Sequence, residues 1–504
     1  MESLIVSIDE YFVGNLSIPD LGSVSTIDSN GKLFYEVKHS EIGIRSGTNF
    51  AGGALNFDPT STSSTSNLAL VYLNLSDSLS GAVNVRSARP GDVIFSANNS
   101  FVAKNLTESG YGIARGEVFF GVVAGGSLNV SAAMGSAYLD ARDSTAGKIK
   151  VTGGTSGGAY ALLKNTPTIS GLTFTKIIDT NDYSVNGTLA KLTVSSAGSQ
   201  TTSQVLAGLG DTDTGSLSDR LTNAMASFFS NEYDESEESF YYLNSEPEDI
   251  ARYFYQKNGD VDEDITLGAV AMVSEQFVGA IAVTAQKGLA VLVLADVLVA
   301  NSVAGSVSEG EDFIASAVAP AAVSVTGERA VLHAEGVIMG ALSINGAQKI
   351  NLYLVDSLVA KTIQYSLDGE IVSFAGETIS VTSQNGAYSA EIVLNDTYFK
   401  NLNLSEVTGS SKVSIIFDGA ENALTVSDRY NPEIALKASN GKVDYIELIE
   451  TVAYEGKYLV TGFELGTDRV TYNGIDIEYS TVFSFNAIKV VGVNSIEIDF
   501  LGLG

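Results

Sequence analysis

A serine framed by glycines is the pattern in this chain that comes nearest to a catalytic motif. Residues 154–158 read Gly-Thr-Ser-Gly-Gly and fit the G-x-S-x-G pattern of a nucleophile elbow, with Ser156 as the nucleophile. Such an elbow needs a strand before it and a helix after it, because the serine must stand on a strained turn. Residues 148–151 and 159–164 can supply a short strand and a short helix, so ester hydrolysis is the chemistry to consider.

Around Ser156 the sequence resembles the patatin-type lipases, and Asp418-Gly419-Ala420 resembles the aspartate motif of their Ser–Asp dyad. The resemblance covers roughly ten residues and implies a serine–aspartate esterase. The glycine-rich oxyanion loop of that family, and its alternating strands and helices, are not visible in this sequence. A glycine-rich turn is the other interpretation, and we prefer it because glycine-rich β-sequence generates such patterns readily.

Two groups of aspartates alternate along the chain in the way that oxygen ligands of Ca²⁺ do. Carboxylates at positions i and i+2 are typical of Ca²⁺ loops, but the terminal glutamate of an EF-hand is missing. Helix caps are the alternative interpretation, and we favour it. Ca²⁺ is the one cofactor that the sequence suggests. Its candidate ligands are Asp211, Asp213, Asp219, Asp260, Asp262 and Asp264.

The composition excludes several classes of function. The chain has no cysteine, so disulfides, thiolate catalysis and cysteine-ligated metals are ruled out. Its 28 Lys and Arg stand against 59 Asp and Glu, a net charge of −31, and no basic cluster is present, which argues against direct nucleic-acid binding. His39 and His333 lie far apart in sequence, and we expect packed or surface histidines rather than a catalytic base or a zinc ligand.

The most apolar stretch is 265–304, whose charged residues are Glu275, Lys287 and Asp296. These charges cut it into pieces shorter than the ~20 residues of a membrane span, so we predict burial inside the protein or at a subunit contact and no transmembrane segment. For residues 267–287 we favour a helix over a pair of buried strands.

An acidic and amphipathic segment precedes this stretch. A helix is predicted after Ser216 or Ser218, and its apolar face consists of Leu217, Leu221, Ala224, Met225, Phe228 and Phe229. Residues 231–239 are strongly acidic, and Ser245-Glu246-Pro247-Glu248 opens a second predicted helix that Asn258-Gly259 ends.

The rest of the chain is predicted to be β-structure, with a long loop or arm at 46–67. Beyond residue 306, dipeptides such as Asn345-Gly346 and Asp368-Gly369 separate short strand-like runs, a pattern typical of a β-sandwich. In order, the predicted strands are 4–8, 32–37, 68–75, 92–96, 116–123, 148–152, 350–354, 362–367, 371–374, 390–394, 413–417, 443–449, 457–463 and 487–500.

The predicted fold is therefore mainly β and multidomain, with Ig-like sandwiches at the C-terminal end. The predicted parts are a β-rich domain at 1–200, a helical and apolar segment at 201–305, a sandwich at 306–430 and a small sandwich or extension at 431–504. We expect a non-enzymatic structural protein that assembles with copies of itself and with other assembly proteins. A capsid or tail protein of a virion suits a chain that opens at Met1 without a signal peptide. An extracellular S-layer or sheath protein is the alternative.

Overall fold

Where the computed structural model describes the chain, it consists of strands and the turns between them. It describes residues 4–7, 16–18, 32–38, 49–51, 54–57, 70–76, 79–87, 91–98, 100–107, 122–176, 183–201, 266–307, 314–366, 370–382, 389–395, 397–405, 411–417, 433–437, 444–450, 457–463, 469–472, 475–476, 486–491 and 494–500. No helix occurs among these residues, and therefore none that is long and apolar enough to cross a membrane.

The strands are numbered in the order of the chain. The first group is β1 (Leu4–Ser7), β2 (Leu16–Ile18), β3 (Lys32–Lys38), β4 (Asn49–Ala51), β5 (Ala54–Phe57), β6 (Leu70–Ser76), β7 (Leu79–Ser80), β8 (Ala82–Ser87), β9 (Asp92–Asn98), β10 (Phe101–Thr107), β11 (Val122–Gly125), β12 (Leu128–Ala132) and β13 (Ala137–Arg142). The second is β14 (Ile149–Gly153), β15 (Ala159–Lys164), β16 (Ile169–Lys176), β17 (Tyr183–Leu189), β18 (Leu192–Ser196), β19 (Gln200–Thr201), β20 (Thr266–Val278), β21 (Ile281–Ala285), β22 (Leu289–Val307), β23 (Ile314–Pro320), β24 (Val323–Glu335), β25 (Ile338–Met339) and β26 (Leu342–Val355). The third is β27 (Leu358–Tyr365), β28 (Ile371–Gly376), β29 (Thr378–Thr382), β30 (Ser389–Asn395), β31 (Asn401–Ser405), β32 (Ser411–Phe417), β33 (Glu433–Lys437), β34 (Asp444–Glu450), β35 (Lys457–Phe463), β36 (Arg469–Tyr472), β37 (Ile475–Asp476), β38 (Asn486–Val491) and β39 (Asn494–Phe500).

Parallel pairing winds these strands into a β-solenoid with two long faces. Leu128 pairs with Ile149 and Ala137 with Ala159, so a minimal coil takes about twenty residues. The front face runs in parallel register through β2, β5, β8, β12, β14, β18, β21, β24, β26, β29, β31, β33, β35 and β39. The back face runs likewise through β1, β3, β6, β9, β13, β15, β20, β22, β24, β26, β30, β32, β34 and β36.

Some coils carry an extra hairpin, and these hairpins form a third, antiparallel arm sheet. Its order is β4, β10, β11, β16, β17, the end of β22, β23, β27 and β28. The arm sheet has its own apolar cluster, which includes Leu172, Phe174, Val185 and Val303. The extra length of the longer coils is therefore used to build this sheet.

The core lies between the two long faces and consists of stacked aliphatic side chains. Because parallel strands stack in register, the same inward position recurs in every coil and forms a column. One front column is Val83, Leu128, Ile149, Leu192, Ile281, Val323, Leu342, Ile379 and Leu402, and one back column is Phe95, Leu139, Ala161, Ala271, Leu292, Leu332, Leu352 and Ile392. Apolar contact thus continues from Leu55 to Leu402, the part of the stack whose side chains the structure describes.

Six of the described coils turn away from the back face through a residue in the left-handed region. Asp143, Asn165, Glu275, Asp296 and Asp356 have φ between 44° and 53° at this corner, and Gly336 has φ of 62°. Asp and Asn tolerate this conformation better than other side chains, and Gly does so without strain. A Cβ at Gly336 would lie 2.6 Å from Asp296 Oδ1, so a larger residue there would displace the Asp296 side chain.

Mainly β structure is confirmed, and the helix predicted for residues 267–287 is wrong. This stretch forms β20 and β21. Burial of the stretch is confirmed, since ten of the thirteen residues of β20 are buried, and the other three are Thr266, Glu275 and Phe277. Because both sides of the back face are buried, the strand shows no alternation, and that absence imitates a buried helix.

The Ig-like sandwich is not found in the described part of the chain, because β24, β26, β29 and β30 pair in parallel. The turn predicted at Asn345-Gly346 is wrong, since both residues lie inside β26 and pair with β24. Residues 49–51 and 54–57 of the predicted arm are strands β4 and β5. The helices predicted between 216 and 258 lie outside the described residues.

Most predicted strands are confirmed within a residue or two, for example 92–96 in β9 and 413–417 in β32. The parallel register also continues across the boundaries predicted at 200, 305 and 430, through the β15–β20, β22–β24 and β31–β33 pairs. The division into four parts itself stays a prediction.

We expect Val278→Asp to lower the free energy of unfolding by several kcal/mol, because Val278 is fully buried in the core and an unpaired carboxylate there loses its hydration. Chemical denaturation followed by circular dichroism measures this. Ser343→Asp, at an exposed position on the front face, is the control. Equal denaturation midpoints for the two variants would contradict the burial of the stretch.

Candidate functional site: a buried polar cluster on the back face

Five polar side chains meet at the N-terminal ends of the back-face strands. Asp92 begins β9, Ser136 directly precedes β13, Tyr138 and Tyr160 follow on β13 and β15, and Gln200 lies on β19. The parallel register brings together residues that are distant in sequence, because each sits at the start of its strand. We call this group the polar cluster.

Ser136 is the centre of the hydrogen bonding in the polar cluster. Its backbone N–H donates to Asp92 Oδ1 at 2.7 Å, and its Oγ donates to Gln200 Oε1 at 2.7 Å. The Tyr138 hydroxyl donates to the same Gln200 oxygen at 3.3 Å, and the Gly158 N–H donates to Ser136 Oγ at 2.9 Å. The network ties β19 to two strands of the back face.

Burial dominates the electrostatics of the polar cluster. It raises the pKa of the Asp92 carboxyl, and the hydrogen bond from the Ser136 backbone opposes this shift only in part. Burial also raises the pKa of Tyr138 and Tyr160, and the nearby Asp92 charge raises both further. The two rings stack with their centroids 4.8 Å apart. Both tyrosines are therefore neutral hydrogen-bonding groups at physiological pH.

The chemistry open to the polar cluster is hydrogen bonding. A partly buried carboxyl, two neutral phenols, a hydroxyl and an amide can hold a polar group in place. None of the five is an activated nucleophile of the serine–histidine or cysteine type. The arrangement fits an anchor for the chain that continues from Gln200.

A column of acidic groups follows the left-handed corner of the solenoid. Asp143, Glu275, Asp296 and Asp356 are exposed there, and Lys164 Nζ lies 3.5 Å from Glu275 Oε1. Burial raises the pKa of the adjacent Glu335, and the charges of Asp296 and Asp356 raise it further. Across the described residues, no three His, Asp or Glu side chains are grouped so that they could hold a metal ion.

A groove of about 600 Å³ lies along the arm sheet. Small residues line much of it, among them Gly171, Gly187, Ala304 and Ala317, and none of its described lining residues is ionisable. The groove therefore offers shape and hydrogen bonding but no acid–base chemistry.

The structure places Ser156 in the turn between β14 and β15. Its exposed hydroxyl donates to the Met134 carbonyl oxygen at 2.7 Å. Residues 159–164 form strand β15, so the short helix that the nucleophile-elbow interpretation needs after Ser156 is not there. Asp418, the predicted partner of Ser156, lies outside the described residues.

The six predicted Ca²⁺ ligands, Asp211, Asp213, Asp219, Asp260, Asp262 and Asp264, also lie outside the described residues, and so does His39. His333 lies buried on the back face, where its ring stacks with that of Tyr353 at 6.2 Å. Burial lowers the pKa of His333 to about 4. The sequence predicts a packed or a surface histidine at this position, and the structure shows the packed one.

Sequence reasoning missed the polar cluster. Tyr138 and Tyr160 occupy equivalent positions of consecutive coils, and a search for the coil period would have paired them. Gln200 carries no comparable signal, because its contact with Ser136 depends on the path of β19.

We expect Asp92→Asn to raise the melting temperature near neutral pH. The amide oxygen still accepts the Ser136 N–H, and the cost of burying a charge is removed. Because folding raises the pKa of Asp92, the wild-type protein loses stability as the pH rises through the pKa of the folded state. The melting temperatures of the wild type and of Asp92→Asn therefore converge as the pH falls toward 3.8. Thermal melts across this range measure the difference. Asp143→Asn, at an exposed position, controls for the lost charge, and a pH-independent difference would contradict this account.

We expect the His333→Gln variant to lose less of its free energy of unfolding at acid pH than the wild type does. Folding depresses the pKa of His333 from 6.5 to about 4. The neutral imidazole therefore contributes its full share of the free energy of unfolding above pH 6.5, and this contribution is lost as the pH falls toward 4. The loss amounts to roughly 3 kcal/mol for a shift of this size. Denaturant titrations of both proteins at a series of pH values measure it. An unchanged acid loss in the variant would show that another group is responsible.

No protein-family model, curated protein or solved structure matches this chain. The solenoid, the polar cluster and the corner column are therefore the observations on which a function is proposed.

Proposed function

We propose that this chain is a non-enzymatic structural protein that self-assembles, and that it serves as a virion component in a repetitive capsid shell or tail tube. The observation that carries the proposal is the parallel stack that continues from β1 and β2 to β36 and β39. Main-chain hydrogen bonds and a shared apolar core hold each coil to the next, which makes the body stiff. Stiffness in a repeated subunit is what a shell or tube requires.

The edge of the arm sheet supports assembly with copies of the same chain. Within the described residues β28 pairs with β27 alone, and its Val372 side chain is 53% exposed. An edge strand has free main-chain donors and acceptors, and an apolar residue there does nothing to discourage pairing with another chain. We expect copies to meet along β28, with other assembly proteins as further partners. Direct nucleic-acid binding is not part of the proposal, because the net charge is −31.

The exposed corner column favours a second candidate, an extracellular S-layer or sheath protein. Asp143, Glu275, Asp296 and Asp356 repeat along one corner, and such a row repels the same row on a neighbouring copy. Ca²⁺ bound between copies would offset this repulsion. Assembly that depends on Ca²⁺ distinguishes the surface layer from the virion component.

We expect the purified chain to form sheets, tubes or shells that negative-stain electron microscopy and light scattering detect. Assembly in EDTA favours the virion component, and assembly in Ca²⁺ alone favours the surface layer. A monomer under all salt and Ca²⁺ conditions would overturn both.

The contact at β28 is tested with two matched variants. Val372→Lys puts a charge on the edge strand, and Val122→Lys puts the same charge on β11, an exposed position of an interior strand in the same sheet. We expect Val372→Lys to reduce the scattering mass and Val122→Lys to leave it close to that of the wild type. Equal effects of the two variants on the scattering mass would show that copies do not meet along β28, and would not bear on self-assembly itself.

A further inference from the structure

The front face carries no carboxylate at its outward positions from β8 to β29. These positions alternate with core residues such as Ile149 and Val151, and they repeat in parallel register from coil to coil. They hold only Ala, Ser, Thr, Asn, Lys and Arg, and all of them are at least partly exposed. Since the whole chain contains 59 Asp and Glu, this part of the front face differs in charge from the rest of the protein.

Three exposed lysines lie close together on this face, and we call Lys148, Lys150 and Lys191 the lysine patch. The Ile149 N–H donates to the Lys191 carbonyl oxygen at 3.1 Å, and Ile149 pairs with Leu192, so Lys148 and Lys191 directly precede neighbouring strands. Such strands are ~4.8 Å apart, and Lys150 lies ~6.6 Å along β14 from Lys148. Within the described part of the chain, none of the three lysines is paired with a carboxylate.

The corner column carries the opposite charge at the same repeat. Ala295 pairs with Glu335 and Glu335 with Val355, so Asp296 and Asp356 lie two coils apart, with Glu335 in the coil between them. Burial raises the pKa of Glu335, and the charges of Asp296 and Asp356 raise it further, so these carboxylates repel one another. Successive coils thus present carboxylates ~4.8 Å apart, which is also the distance between the strands that follow Lys148 and Lys191.

The two charged surfaces do not neutralise each other within one copy. The arm sheet separates them, because β16 and β17 leave the coil between the corner residue Asn165 and Lys191. Of the corner column, Glu275 has Lys164 Nζ at 3.5 Å, whereas Asp296 and Asp356 have no ion-pair partner among the described residues. One copy therefore offers both a surface of unpaired cations and a surface of unpaired anions.

We propose that the lysine patch of one copy docks on the corner column of a second copy, with Asp296, Glu335 and Asp356 as its counter-charges. The inference rests on the proposed function, since it names surfaces through which copies associate. Lysine charge then offsets the repulsion at the corner without Ca²⁺. Exposed ion pairs are individually weak and are screened by salt, so this contact acts together with the β28 edge, and the two give each copy separate contacts from which an assembly can grow.

Charge reversal on each side tests the contact in the full chain. Lys148→Glu with Lys191→Glu makes a patch variant, and Asp296→Lys with Asp356→Lys makes a corner variant. We expect either variant alone to associate on the order of tenfold more weakly than the wild type, because like charges then face each other. An equimolar mixture should recover wild-type association by light scattering, since each reversed surface then meets a reversed partner and each intact surface an intact one. Net charge alone predicts the opposite for the corner variant, which is less acidic than the wild type.

Two further variants serve as controls. Lys104→Glu with Lys287→Glu changes the net charge as much as the patch variant does, at exposed lysines outside the patch, and should associate like the wild type. Asp296→Asn with Asp356→Asn removes the corner charge with a residue that tolerates the left-handed φ of 53° and 44°, and should also weaken association. Circular dichroism checks the fold of every variant.

The outcomes separate this contact from the proposed function. A patch variant that associates as the wild type does, or a mixture that fails to recover association, would overturn the docking and leave self-assembly in place. A wild type that stays monomeric under all conditions would overturn the proposed function and this contact with it.

Zero-length crosslinking locates the contact directly. A carbodiimide joins a lysine to a carboxylate only where the two touch, and a mixture of isotopically light and heavy protein separates crosslinks between copies from those within one. We expect light–heavy peptides that join the lysine patch to Asp296, Glu335 or Asp356, and fewer of them at ~1 M salt, where the Debye length is ~3 Å. Patch lysines that crosslink only within one chain, or only to other carboxylates, would overturn the proposal.

A soluble polyanion is the other occupant that suits a lysine patch, and polyphosphate is the probe for it. We expect the wild type and the patch variant to bind polyphosphate equally weakly, because the chain has a net charge of −31. Polyphosphate binding that the patch variant loses, with its association unchanged, would assign the patch to a polyanion and overturn the proposal.

Discussion

In-register stacking of one coil on the next is the constraint from which the other features of this protein follow. A parallel ladder repeats each position of a coil directly above the same position of the coil below. Aliphatic residues such as Ile149, Leu192 and Ile281 therefore form continuous columns, and a residue of the wrong size or polarity disturbs its neighbours in two coils at once. The same register aligns the left-handed corners, where Asp296 lies against Gly336.

Stacking also determines what happens to polar groups. On the front face the outward positions repeat as amides, and Asn84 Nδ2 donates to Asn56 Oδ1 while Asn129 Nδ2 donates to Asn84 Oδ1, both at 2.8 Å. Each amide thus satisfies the next without leaving the solvent-facing side. On the back face the outward positions are buried, and there the ionisable groups Asp92, Asp140 and His333 have pKa values shifted toward their neutral forms.

The contrast between the two faces is important for function. The front face has small polar side chains at its outward positions, such as Asn84 and Asn129, whereas the outward positions of the back face, such as Val270 and Val291, are buried. Acidic residues lie at the corner between them, where charge repels other copies unless a contact or a cation offsets it. The proposal of self-assembly rests on this acidic body and on the β28 edge of the arm sheet.

The sequence by itself determined that this protein is mainly β, where most of its strands lie, and that residues 265–304 are buried. Those properties depend on local alternation, turn residues and apolar content, which a single segment carries. Tertiary structure decided that the strands stack in parallel, that 267–287 is strand, and that Asp92, Ser136 and Gln200 meet. A strand pattern of period two is the same in a sandwich and in a solenoid, so the partner and direction of each strand are set by contacts between coils distant in sequence.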